Sequence, residues 1–310
     1  MSASFSQPAA PQPGDRQPGD RQPPLLSGVA DIAADYDGYI LDVWGVLYDG
    51  GAAYPGVVEC LTQLKKAGKR IVVLSNAPRR AQVVADRLTN LGIGRHLYDE
   101  VHTSGEEAFL SLRDRTDDFH RSLGRNCVDT GGDRFLGLLD GSGVTLAGDP
   151  SEASFVLASG PLEGTDPIER YDDLLSRCLE RGLPMLCANP DLEVLHEGAR
   201  HLCAGSIGAR YTQMGGFVHY YGKPHEAVYA TCLRLMNIED RSRILAVGDN
   251  LETDVKGGQA HGTGTLLVAG GIHCDRLEIT MGDRPDPQRL TALYGEFALT
   301  PTATVPAFTW

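Results

Sequence analysis

Three apolar runs in this chain stop abruptly on residues that do chemistry. Tyr39-Ile40-Leu41 runs into Asp42, Ile71-Val72-Val73-Leu74 into Ser75-Asn76, and Arg243-Ile244-Leu245-Ala246-Val247 into Gly248-Asp249, with Asp254 shortly after. A fourth stretch, Gly222-Lys223-Pro224, sits on a loop ahead of a helical pattern. Buried parallel strands are continuously apolar and deliver polar groups at their C-terminal edge, the edge at which open α/β sheets do their chemistry. Carboxylates at adjacent strand ends suit a hard divalent cation such as Mg²⁺, which takes few protein oxygens and keeps water for a substrate. A hydroxyl, an amide and a lysine at the same edge suit a phosphoryl group. Taken singly, each has an ordinary reading as a turn residue, a cap or a solvated charge; their order along the chain is what points to a site.

These residues need strand-loop-helix units to place them. Pro55 to Lys66 has apolar residues at Val57, Val58, Leu61 and Leu64 and closes on Gly68, and Ala81 to Leu91 closes on Gly92. Val101-His102-Thr103-Ser104 followed by a helix to about Arg113 completes a third unit. Three such units in succession predict a doubly wound sheet. From about Asp114 to Tyr221 the pattern changes. Strand-like runs at Arg125 to Asp129, Ser154 to Ser159 and Leu183 to Ala188, with a helix from Ile168 to Arg181, predict an inserted α/β domain with its own core. The sheet pattern then resumes with a helix from Ala227 to Met236 and strands ending at Val247 and Val268.

Composition narrows the partners. The 310 residues carry a formal charge of -13, which argues against nucleic acid or an anionic membrane as main partner. Seven scattered cysteines without a CxxC pair fit reduced thiols in a cytoplasm, and no signal segment or membrane-length apolar run is expected. Residues 1–27, rich in Pro, Gln and Gly and containing a tandem Pro-Gly-Asp-Arg-Gln, are expected to be disordered. Residues 28–113 and 222–310 then form the core and 114–221 the insertion. The tail after the helical stretch Pro287 to Phe297 is expected to be loose unless Phe308 and Trp310 find a partner surface.

Taken together, these stretches resemble the haloacid dehalogenase superfamily, and the insertion between Ser75 and Lys223 is similar to that of its class IIA group of NagD-like and 4-nitrophenylphosphatase-like enzymes. The resemblance covers about residues 36–275 and includes the turn Asn189-Pro190-Asp191 and the small pair Gly205-Ser206. It implies a doubly wound parallel Rossmannoid core with an inserted α/β C2-type cap. It also implies an Asp42 nucleophile that doubles as metal ligand, phosphate binding by Ser75 and Lys223 with Asn76, Asn189 and Asp191 nearby, and a Mg²⁺ held by Asp42, Asp249, Asp254 and the backbone carbonyl of residue 44. A small phosphorylated substrate and a homodimer follow by the same analogy.

One position departs from the family pattern. The second acid of these phosphatases, two residues after the nucleophile, is here Trp44, whose indole N–H does not titrate usefully. Asp49, a residue brought by the cap, or a leaving group that needs no proton (an acyl phosphate, an enol or a phenol) would have to compensate; a neutral Tyr48 is less convincing. The leading expectation is a Mg²⁺-dependent phosphatase working through an aspartyl-phosphate. The alternatives are a regulatory protein that keeps the metal and phosphate site, and a different displacement at Asp42. His196, Glu197, Arg200, His201, Arg210, Tyr211 and Gln213 are the insertion's residues from which substrate contacts would come.

Overall fold

The computed structural model describes residues 22–196 and 199–310. In the main sheet, side-chain alternation along the central strands decides the architecture. Strands β1 (Gly38–Leu41), β2 (Arg70–Ser75) and β3 (Glu100–Thr103) are interleaved with helices α1 (Val57–Lys66), α2 (Ala81–Asn90) and α3 (Ser104–Asp114). Tyr39, Leu41, Ile71 and Val73 point to one face, where they pack with Leu61 and Leu64 of α1 and Val84 and Leu88 of α2. Ile40, Val72 and Leu74 point to the other face. Both faces are covered, as an all-parallel sheet requires.

After α4 (Asp118–Ser122), a second sheet is built from β4 (Asn126–Asp129), β5 (Thr145–Leu146), β6 (Phe155–Ala158), β7 (Met185–Cys187) and, later, β10 (Val218–Tyr220). Its order is β10-β7-β6-β4-β5, with every pairing parallel. Helices α5 (Asp172–Glu180) and α6 (Ala204–Gln213) cover one face through Leu175, Cys178, Ile207 and Tyr211. An antiparallel hairpin, β8 (Glu193–His196) with β9 (Ala199–Leu202), stands apart from both sheets.

The chain returns through α7 (Glu226–Met236), which lays Val228, Tyr229, Cys232 and Met236 on the second face of the main sheet. Strand β11 (Ile244–Gly248), helix α8 (Lys256–Ala260), strand β12 (Gly264–Val268), helices α9 (Cys274–Leu277) and α10 (Pro287–Phe297) and strand β13 (Ala303–Val305) complete it. The order is β13-β12-β11-β1-β2-β3, all parallel. The fold is a doubly wound Rossmannoid α/β core with an α/β insertion.

Two terminal expectations change. The tail is not loose: β13 pairs with β12, and Phe308 is 1% exposed in the main core while Trp310 stays 42% exposed. Residues 1–21 of the arm lie outside the described residues, but 22–27 are placed. Leu26 N donates to Thr304 O at 2.8 Å beside a bridge between Leu25 and Thr304. The physical reason is shared: β13 is an edge strand with unpaired backbone groups, and the apolar pair Leu25-Leu26 covers them. Among the described residues no helix is long and apolar enough to cross a membrane.

Phe308→Ala should therefore destabilise the protein by about 3–5 kcal/mol, the usual cost of deleting a buried aromatic ring. Trp310→Ala should stay within about 0.5 kcal/mol. Equilibrium denaturant unfolding reads both, and equal effects would show that the tail is not docked as described.

Candidate active site

The parallel register brings the acids together. Asp42 directly follows β1, its N–H donating to Val247 O at 2.9 Å, so the residue after β1 lies beside the end of β11, where Asp249 follows Gly248. Asp254 arrives one turn later, on a short segment Leu251–Val255 where Asn250 Oδ1 caps the Glu252 N–H at 2.9 Å. Carboxylate oxygens of Asp42, Asp249 and Asp254 all lie within 4.8 Å of one another, and all three residues are buried. Gly45 lies against this group at φ +74, and any Cβ there would collide with the Asp249 carboxylate.

Lys223 is the cation among them. Its Nζ is 2.5 Å from Asp42 Oδ1 and 2.7 Å from Asp254 Oδ1, and the residue is 2% exposed. Asn76, at the end of β2, holds its backbone: Asn76 Oδ1 accepts from Lys223 N at 2.7 Å, and Asn76 Nδ2 donates to Lys223 O at 3.2 Å. The same amide donates to Asp191 Oδ1 at 2.8 Å, so one buried side chain joins the lysine loop, strand β2 and the Asn189-Pro190-Asp191 turn. Ser75 is buried beside it, its Oγ accepting from Ala77 N at 3.2 Å.

Three carboxylates against one ammonium leave negative charge uncompensated. Burial pushes Asp42 up to about 7 despite Lys223, with Asp254 adding to the rise. Burial, then the Asp42 and Asp254 charges, raise Asp249 well above the carboxylate range. Burial opposes the charge on Lys223, but Asp254 and Asp42 together hold its pKa well above that of an ordinary lysine. A buried, all-oxygen donor set that resists ionising without further positive charge fits a hard divalent cation.

The remaining candidates fall in different places. Asp49 does not have the makings of a proton donor: Gly51 N and Ala52 N donate to its Oδ1 at 2.9 and 3.2 Å and hold its carboxyl below the usual range. It is a turn-capping carboxylate. Asn189 Oδ1 accepts from Asp191 N at 2.9 Å, so it shapes the turn that presents Asp191. Burial raises Asp191 to about 6, opposed by Lys223 and the Asn76 bond.

Trp44 reaches across to the insertion. Its Nε1 donates to Leu195 O in β8 at 2.7 Å, and its ring stacks on His196 with centroids 5.7 Å apart and contacts Tyr48 at 5.0 Å. His196 and His201 line the cleft with it. Arg200 instead bonds Asp275 and Glu193, Arg210 pairs with Asp172, Tyr211 is a core residue bonded to Leu183 O, and Gln213 is exposed. Glu197 lies outside the described residues.

Sequence reasoning missed Ser104, Arg79 and Arg87. Ser104 Oγ sits 2.7 Å from Asn76 O and 2.6 Å from Ala188 O, joining the two sheet units beneath the cleft. Arg79 and Arg87 line the cleft, and the basic pair Arg79-Arg80 following Ser75-Asn76 was the available signal.

Comparison with known proteins agrees with this geometry. Residues 39–145 match the family model of haloacid dehalogenase-like hydrolases, and residues 220–291 match a second, HAD-hydrolase-like model. Chronophin of Homo sapiens is 31% identical over 260 residues, which span 81% of this chain and 86% of that protein. The chain belongs to the haloacid dehalogenase-like hydrolases. A solved haloacid dehalogenase-like hydrolase from Brucella suis 1330 superposes with a TM-score of 0.77 at 31% identity, covering 92% of this chain and 100% of that one. The p-nitrophenyl phosphatase from Archaeoglobus fulgidus does so with a TM-score of 0.67 at 26% identity, over 88% and 97% of the two chains. Within this hydrolase family the Trp44 indole stands where the resemblance calls for a second acid, and its N–H is already committed to Leu195.

The raised carboxyls of this hydrolase set its pH response. Groups whose folded pKa lies above the unfolded value contribute stability at low pH that is lost as pH rises through the folded pKa. In the presence of chelator, stability should therefore fall as pH rises from about 5 to 8. Asp249→Asn should flatten that fall in thermal unfolding; an unchanged slope would remove Asp249 from the cluster's electrostatics.

Proposed function

We propose that this hydrolase is a Mg²⁺-dependent phosphoric monoester hydrolase acting on a small phosphorylated substrate through an aspartyl-phosphate on Asp42. The observation that carries the reading is the Lys223 ammonium between Asp42 and Asp254, with Asp249 completing the acid cluster at one sheet edge. Names among the relatives support it, since p-nitrophenyl phosphatase and the ribonucleotide monophosphatase NagD of Escherichia coli both describe phosphate ester cleavage.

In this reading Asp42, Asp249 and Asp254, with the Trp44 carbonyl, hold Mg²⁺. Bound there, the cation supplies charge neutralisation for the phosphoryl oxygens. The protein's own groups do the rest. Lys223 and the Ser75 hydroxyl bind the phosphoryl group, and Lys223 also keeps one Asp42 oxygen fixed. The other Asp42 oxygen attacks phosphorus, the ester P–O bond breaks and the alcohol leaves, and water then hydrolyses the aspartyl-phosphate, restoring the Asp42 carboxylate and releasing phosphate. Asn76 and Asp191 keep the lysine loop and the insertion's turn in register.

Trp44 gives a second reading a foothold, because an indole tied to Leu195 removes an acid-base contribution worth about 10²- to 10⁴-fold. A protein of that kind would bind phosphate and metal as a regulator with little turnover.

Phosphate release from 4-nitrophenyl phosphate separates the two. Turnover that requires Mg²⁺, stops with chelator and drops to background in Asp42→Asn is the expected result. An inert native protein that still binds Mg²⁺ and phosphate by calorimetry would favour the regulator.

A further inference from the structure

Trp44 divides the cleft in two. A cavity of about 440 Å³ and another of about 430 Å³ meet where Asp42, Trp44, Asp191 and Val194 line both. The Trp44 bond to Leu195 O and its stack on His196 form the partition. The chambers differ in charge. The second is lined by Asp49, Glu193, Asp249 and Asp275 along with Lys223. The first is walled by Tyr48 and Phe135, with Arg79, Arg87, His196 and His201 among its polar groups, and among the described residues its carboxylates are Asp42 and Asp191 at the junction.

The cations there lie against the rings. The Arg79 guanidinium is 5.0 Å from the centre of the Phe135 ring, and that of Arg87 is 6.0 Å from the centre of the Tyr48 ring. Arg87 donates to Gly50 O, and among the described residues it faces no carboxylate at ion-pair distance. Flat aromatic walls beside guanidinium groups suit a planar, anionic body.

On the reading that Asp42 is a phosphatase nucleophile, we infer that the substrate is a phosphate monoester of an acidic hydroxyl, aryl or enol, on a planar body that carries a second negative charge. The phosphoryl group sits at the junction and the body in the first chamber, where the second charge meets Arg87. An Asp42 oxygen bonds to phosphorus, the ester P–O bond breaks, and its electron pair leaves on an aryloxide or enolate oxygen that is stable without a proton. Water then adds its oxygen to phosphorus, Asp42 recovers its carboxylate, and the hydrogens of water depart with the phosphate or to solvent. No acid is needed at position 44, so that side chain is free to serve as the partition.

Two comparisons with the full chain and Mg²⁺ test this. Phenyl and benzyl phosphate share a ring but differ in leaving group; kcat/KM should favour phenyl phosphate by about 10²-fold or more, the size of a missing general acid. Trp44→Asp should raise the benzyl ester and narrow that ratio to about tenfold, whereas Trp44→Phe, which keeps a ring and no acid, should leave the ratio wide. 4-Carboxyphenyl phosphate should exceed phenyl phosphate by about tenfold, and Arg87→Gln should bring that ratio to about one, a change in scale with one charged hydrogen bond. Benzyl phosphate hydrolysed as fast as phenyl phosphate by the native protein would overturn the inference and point to Asp191 as a working acid. A carboxyl preference indifferent to Arg87→Gln would also overturn it. Absence of metal-dependent release from every ester would instead sink the phosphatase reading. Calorimetry of the two aryl esters with Asp42→Asn, with and without Arg87→Gln, separates that failure from this one by reading the chamber's preference without turnover.

Discussion

A fully buried ammonium is the constraint around which the site is arranged. Taking Lys223 and its partners out of water costs several kcal/mol per ion, and only close, well-directed pairing offsets it. Nζ has that pairing at 2.5 and 2.7 Å, with Asp42 and Asp254. The backbone around it must then be rigid, which explains why Asn76 spends its carbonyl oxygen and amide on the lysine loop. It also explains Gly222, whose φ of +104 lets the loop turn against the Asn76 amide, Ser104 and Pro190, where a Cβ has no room. Strand β1 supplies one acid, β11 the others, β2 the clasp. The parallel register of these three strands is what sets the ammonium's geometry.

Trp44 stands beside this cluster and changes what it does. An acid at that position would move protons at the leaving group; an indole there joins the core to β8, 151 residues away in sequence. The exchange gives up acid-base help and gains a wall that separates two chambers of nearly equal volume. A partition of this kind makes the hairpin β8 and β9 part of the site. Arg200 supplies a second tie from β9 to Asp275, on the acidic side.

The fold and most of the acid cluster were legible in the sequence because both depend on local pattern. A continuously apolar strand that stops on Asp42, Asn76 or Asp249 states its own position: the run is buried and its end is the sheet edge. What was not legible depends on long-range contact. Nothing near Trp44 indicates that its N–H will find the Leu195 carbonyl. Ser104 reads as the end of a strand and becomes a joint between two sheets only when Ala188 arrives beside it. Asp49 offered the right chemistry at a plausible distance in sequence, but the local turn Gly50-Gly51 folds backbone N–H groups onto it, which favours the ionised form. The tail was misread because its short run Ala303-Thr304-Val305 is too brief to announce a strand, and only the open edge of β12 makes it one.

Charge segregation is the last consequence. The chain carries -13 overall, yet among the described residues the chamber lined by Arg79 and Arg87 has no carboxylate beyond those at its junction. Salt screens exposed charges over about 8 Å at physiological ionic strength, so the net charge of the protein reaches a substrate weakly, while the chamber's own groups act at full strength. An anion is thus repelled from the acidic chamber and accepted by the basic one, and a cation the reverse. Asp42 lines both chambers and so faces each of them. On the proposed phosphatase reading, the partition therefore orients the substrate, with its body on the arginine side and the phosphoryl group facing the acids across Lys223.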